Sequence, residues 1–219
     1  YIDALKVCLN LEKDYPFSAE LFFMIARVYK GLSQFDLAET YYNKVLSVNP
    51  DHPDTLNNLG NIFNTKGRAK EAINLFQKVI LLVPTAPQPY SNIAQSYLLL
   101  GDYEKGIKFS KKALELSPKF TDAYLNLAKS QIKGNFYKNA LNTVSKCLDF
   151  DHKNQELLKL FTDILLYNPI SEYDFALDKK IKLLFDNNEF GQIFPILLLR
   201  IEIHPDMSAL LSQIDDINS

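Results

Sequence analysis

Asn58, Asn92 and Asn126 stand 34 residues apart, each on a segment whose apolar residues recur at helical spacing. A carboxamide carries a donor pair and an acceptor, so one asparagine can satisfy the C=O and the N–H of a single residue in an extended peptide. Repeated at a fixed interval, such a group tracks a main chain. Asn57, Asn61, Asn64, Ser91, Gln95 and Lys129 lie around them and make the neighbourhood amide-rich and nearly uncharged. The expected peptide-binding set is Asn57, Asn58, Asn61, Ser91, Asn92, Gln95, Asn126 and Lys129. The competing expectation is structural: the same asparagines would bond from helix to helix inside the chain.

Other chemistry finds few ingredients. His52, His152 and His204 fall in expected turns more than fifty residues apart, with no nucleophile in a recognisable setting, and read as solvated turn residues. Cys8 and Cys147 occupy apolar helix positions and read as small core residues. Two cysteines in 219 residues make no disulfide framework, which suits a reducing, cytoplasmic setting. Asp215 and Asp216 read as a soluble terminus, and the seven glycines are too dispersed for a phosphate loop. No catalytic residue, metal or cofactor is expected. A net charge of −2 gives no footprint for nucleic acid or an anionic membrane. The longest apolar run, Ile193 to Leu199, is broken by Pro195 and falls far short of the roughly 20 residues that span a bilayer.

The amides need elements to hold them, and the prolines announce those elements. Pro16, Pro50, Pro84 and Pro118 are spaced by 34 residues, the mark of a solenoid of helix pairs. With the proline at position 32 of each unit, full units begin at Ala19, Pro53, Pro87 and Thr121. Small residues recur at position 8 (Ala26, Gly60, Ala94, Ala128) and position 20 (Ala4, Ala38, Ala72, Gly106, Ala140), where two helices must cross closely. Large apolar groups fill position 4 (Phe22, Leu56, Tyr90, Tyr124) and position 7 (Ile25, Leu59, Ile93, Leu127), one stripe of a helix. Gly67 and Gly101 fall in the turns between paired helices, and Pro53 and Pro87 at first-turn positions where a missing N–H costs nothing.

These positions resemble the tetratricopeptide repeat, a 34-residue antiparallel helix pair. The resemblance implies an all-α, right-handed α-solenoid whose concave side is lined by the first helix of each pair, with positions 2, 5, 6, 9, 12 and 13 facing the channel. The asparagine series is similar to the ladder lining the superhelix of O-linked N-acetylglucosamine transferase. Residues 1–18 then form the second helix of a truncated repeat, 19–154 four full repeats, 155–188 a divergent fifth, and 189–219 capping or docking helices. Members of the family that clamp a chaperone's C-terminal carboxylate are a poor match: Asn61 and Asn92 agree, but Asn57, Asp122 and Asn126 fall where cations should be. The function implied is a non-enzymatic interaction scaffold for an extended protein or peptide segment, neutral or mildly basic given Glu20, Asp54, Asp122 and Glu156 on the rim. The alternative is the targeting region of a larger glycosyl-, methyl- or sulfotransferase. The chain starts at Tyr1 without a basic–apolar leader, as a piece of a longer protein would, and self-association through the terminal helices is a third expectation.

Overall fold

The computed structural model describes residues 2–167. Among these, every regular element is a helix: α1 (Ile2–Asp14), α2 (Ala19–Gly31), α3 (Phe35–Val48), α4 (Pro53–Thr65), α5 (Ala69–Leu82), α6 (Pro87–Leu99), α7 (Tyr103–Leu116), α8 (Thr121–Lys133), α9 (Tyr137–Leu148) and α10 (Gln155–Tyr167). Even-numbered helices from α2 and odd-numbered helices from α3 both advance in steps of 34 residues. Two compact units result, Tyr1–Gly134 and Asn135–Ser219. The first holds α1 to α8; α9 and α10 pack together in the second. The second half of the expected divergent fifth repeat and the expected capping or docking helices of 189–219 lie outside the described residues, as do His204, Asp215 and Asp216.

The turn inside each pair repeats as faithfully as the helices. Ser33, Gly67, Gly101 and Asn135, again 34 apart, all take positive φ, from 58° to 77°. In the first three the chain then reverses at once. Gln34, Arg68 and Asp102 donate back to the carbonyls of Tyr29, Phe63 and Tyr97 at 2.8–2.9 Å, satisfying acceptors that the helix end leaves open. Glycine reaches this conformation without strain; serine and asparagine reach it at some cost. Helix starts are closed by side chains at Ser18, whose Oγ accepts from the Leu21 N–H at 3.2 Å, and at Asp102, which accepts from the Lys105 N–H at 3.1 Å. Pro53 and Pro87 stand in the first turns of α4 and α6.

In the first unit α2 packs on α3, α4 on α5 and α6 on α7, and each pair stacks on the next so that α4 touches α6 and α6 touches α8. Ile25, Tyr42, Phe76 and Ile93 are wholly buried between the layers, and Tyr29, Leu59, Ile62 and Phe63 close the core around them. The small positions set the approach. A Cβ added to Gly60 would lie 2.6 Å from the Phe76 ring, and one on Gly106 would lie 2.5 Å from Ser130 Oγ. Position 4 departs from its apolar expectation. Phe22 and Leu56 are buried, whereas Tyr90 and Tyr124 are half-exposed because their hydroxyls donate to the Pro84 and Pro118 carbonyls of the preceding turn. In the second unit Cys147, Leu157, Leu158 and Phe161 are all buried, and Asn154 Oδ1 accepts from the Leu157 N–H at the start of α10. Cys147 is thus a core residue, while Cys8 is half-buried against the first unit's core.

Candidate functional site

Residues at i, i+4, i+7 and i+11 share one face of a helix. On α2, α4, α6 and α8 the face made by positions 2, 6, 9 and 13 keeps solvent access throughout. Its rows are Glu20, Asp54, Gln88 and Asp122 at the helix N-termini; Met24, Asn58, Asn92 and Asn126; Arg27, Asn61, Gln95 and Lys129; then Gly31, Thr65, Leu99 and Lys133. Positions 5 and 12 behave otherwise. A residue there lies roughly 100° round the helix from the open row and meets the following repeat. Asn57 Oδ1 accepts from Asn92 Nδ2 at 2.8 Å, Ser91 accepts from Asn126 Nδ2, Asn64 Oδ1 accepts from Ser96 Oγ at 2.9 Å, and Lys30 Nζ donates to Asn58 Oδ1 at 2.7 Å.

This separates the expected site residues. Asn58, Asn61, Asn92, Gln95, Asn126 and Lys129 stand on the open face. Ser91 does not: it is 1% exposed, because Asn126 is bound to both its hydroxyl (3.0 Å) and its carbonyl (3.1 Å). Asn64, also expected in the channel, is buried for the same reason, and Asn57 has its carbonyl engaged by the next repeat. The three asparagines of the series do structural work with their nitrogens, Asn58 Nδ2 donating to the Asp54 carbonyl of its own helix and the other two to the preceding repeat. Among the described residues the Oδ1 atoms of Asn92 and Asn126, and the side-chain amides of Asn61 and Gln95, have no hydrogen-bond partner. The face therefore offers acceptors at two repeats and whole amides at two more positions.

Its charges are arranged across the helices. Glu20, Asp54 and Asp122 sit in first turns, where the helix dipole favours carboxylates. Arg27 and Lys30 occupy the far half of α2. Burial pushes the Lys30 ammonium below its ordinary pKa, and the neighbouring Arg27 charge pushes it further the same way. Lys66 and Arg68, in the turn after α4, are placed differently: both hold Glu39 of α3, Lys66 also holds Asp36, and Arg68 also holds Glu71. Burial raises the Glu39 carboxyl, and the bonds and charges of Lys66 and Arg68 outweigh it, leaving Glu39 below the usual carboxylate range. This network fastens one repeat to the next.

His52 is not the solvated turn residue expected. Its Nδ1 accepts from the Thr55 N–H at 3.2 Å, capping α4, and its ring lies 5.1 Å from that of Phe23. The position just before Pro53 was the available signal, since a first-turn proline is preceded by a cap. His152 is exposed. Sequence reading also passed over Arg27 and Lys30, which fall on the expected channel positions but in the first repeat, outside the amide series. Among the described residues no three His, Cys, Asp or Glu side chains gather as metal ligands, and no helix is long and apolar enough to cross a membrane.

Family models described as Tetratricopeptide repeat match residues 23–91 and 87–120. Among solved structures, the chain is similar to MamA 41-end from Desulfovibrio magneticus RS-1 at 20% identity and a TM-score of 0.64, covering 70% of this chain and 86% of that one. It is similar to TTC0263, a thermophilic TPR protein of Thermus thermophilus, at 14% identity, TM-score 0.62, and coverages of 91% and 98%. YrrB, described as a TPR protein with an unusual peptide-binding site, aligns at 15% identity, TM-score 0.59, and coverages of 96% and 99%. No curated protein matches the sequence.

Proposed function

Taking the chain as a tetratricopeptide-repeat protein, we propose that it is a non-catalytic interaction scaffold that binds an extended segment of a partner protein across α2, α4, α6 and α8. One observation carries this reading: a face four helices wide stays open to solvent while presenting amide groups, at Asn61, Asn92, Gln95 and Asn126, whose acceptors are not used among the described residues. An extended peptide offers one N–H and one C=O per residue and needs partners for both. Asn92 and Asn126 supply Oδ1 to peptide N–H groups, and Asn61 and Gln95 supply both donor and acceptor. The nitrogens of the series fix the orientation of those acceptors, so the structural and the binding roles are two halves of one arrangement. The description of YrrB as having a peptide-binding site agrees with this use of the fold. The carboxylates of Glu20, Asp54 and Asp122 along one edge favour segments that are neutral or mildly basic overall.

Screening an array of acetylated, amidated dodecapeptides and titrating the best binder by fluorescence anisotropy tests the proposal. Asn61→Ala with Gln95→Ala removes two open amides without touching a contact between repeats. At about 0.5 kcal/mol net for each of the roughly four hydrogen bonds removed, the low end of the range for exposed groups, the double variant binds on the order of 30-fold more weakly at unchanged helicity. An array with no binder, or a double variant that binds as tightly as the parent, overturns it.

A further inference from the structure

Lys44, Lys66 and Arg68 are half-buried cations, and each holds a carboxylate within 2.9 Å. Lys30 is half-buried too, yet its bonded partner is the neutral Asn58 Oδ1, and among the described residues neither it nor Arg27 is paired with an acid. The two cations stand one helical turn apart on α2. A partly desolvated positive charge beside a second positive charge is unfavourable until an anion joins them. The Asn58 carbonyl draws the Lys30 ammonium across to α4, beside the open row, and leaves it with two further N–H donors.

We infer that Arg27 and Lys30, the latter held by Asn58, form a subsite for the side-chain carboxylate of an aspartate or glutamate in the bound segment. The inference rests on the peptide-binding reading above and adds a register to it. Glu20 lies at the start of α2 and Lys30 ten residues along it, about 15 Å apart at 1.5 Å per residue. The amide rows run between these edges. Side chains of an extended peptide lying on those rows alternate between the two edges. The acidic residue over Arg27 and Lys30 is therefore flanked by residues directed at the carboxylate edge, which are basic or neutral. A segment with one acid between basic or neutral neighbours satisfies both edges while remaining neutral or basic overall.

The same peptide array, acetylated and amidated so that an Asp or Glu side chain is the sole carboxylate, supplies the test. In binders, replacing that acid by its amide weakens binding to wild-type protein about 10- to 100-fold, the range of a charge-assisted hydrogen bond. Against Lys30→Met with Arg27→Gln, the acidic and amide peptides bind alike. Lys30→Met alone gives up one hydrogen bond between repeats but relieves the free protein of a half-buried charge that has no acid beside it among the described residues, so the melting temperature stays close to wild type while the acid dependence falls, which separates a binding role from a structural one. Binders with no dependence on the acid, or an acid dependence that survives the double variant, sink the subsite while leaving the scaffold reading intact. No binder at all removes the scaffold reading itself.

Discussion

Replacing Asn126 by alanine measures how much of the asparagine series belongs to the fold. Its Nδ2 bridges to Ser91 Oγ and to the Ser91 carbonyl, and Ser91 is 1% exposed. The carbonyl also serves the helix, so the hydroxyl is the group left without its partner. A net hydrogen bond is worth about 1 kcal/mol and a stranded buried polar atom about 1–3 kcal/mol, so Asn126→Ala destabilises the first unit by about 1–2 kcal/mol. Chains of this length lose about 2–4 °C per kcal/mol, which places the fall in melting temperature at about 2–8 °C. Asn126→Asp loses the donor as well and sets a negative charge against a carbonyl oxygen, so at neutral pH its deficit exceeds that of alanine. Protonating the aspartate restores an O–H donor, so its deficit relative to wild type at the same pH narrows toward pH 4. Urea denaturation followed by circular dichroism at pH 7 and pH 4 reads both effects. If Asn126→Ala unfolds at the wild-type midpoint, or the aspartate variant shows no pH dependence relative to wild type, the asparagines do not tie the repeats together and the division of labour proposed for them fails.

Gly60→Ala gains about 1 kcal/mol of helix propensity but drives a methyl into the wholly buried Phe76 ring, an overpacking cost of about 1–3 kcal/mol. The net is a loss of up to about 2 kcal/mol, partly relieved by Phe76→Leu in a double-mutant cycle; a more stable Gly60→Ala would show that the helices do not meet there. Glu39 is held below its ordinary pKa by Lys66 and Arg68, so its contribution is present above that ordinary value and is lost as pH falls through the lower folded one. Glu39→Gln accordingly lowers the denaturation midpoint at pH 7 and much less at pH 3, and an equal loss at both would refute the pairing.

The helix class, the helix starts and the turns were legible because each depends on a local rule repeated at a fixed interval. Pro53 and Pro87 mark first turns, Gly67 and Gly101 mark reversals, and the small residues at Gly60 and Gly106 mark close crossings. Ser33 and Asn135 take the same left-handed conformation without a glycine to signal it, so there the repeat period carries more information than residue type. The site was legible only in outline. Helical periodicity shows that positions 5 and 6 are neighbours, but it does not say which of them the next repeat covers.

That choice belongs to the stacking of one pair on another. Asn57 and Asn58 are the same residue side by side in the chain, yet one turns to Asn92 of the following repeat and the other stays on the open face with Lys30 bound to it. Ser91 and Gln95, both polar and both expected to meet a ligand, end as a buried acceptor and an exposed amide. By itself the sequence determined the period, the helices and the kinds of group available along them, since these follow from propensity and spacing within a few turns. Tertiary structure alone decided which donors are consumed between helices, which acceptors remain, and that Lys30 lies half-buried with no acid beside it among the described residues, since each depends on the distance to a residue some thirty places away.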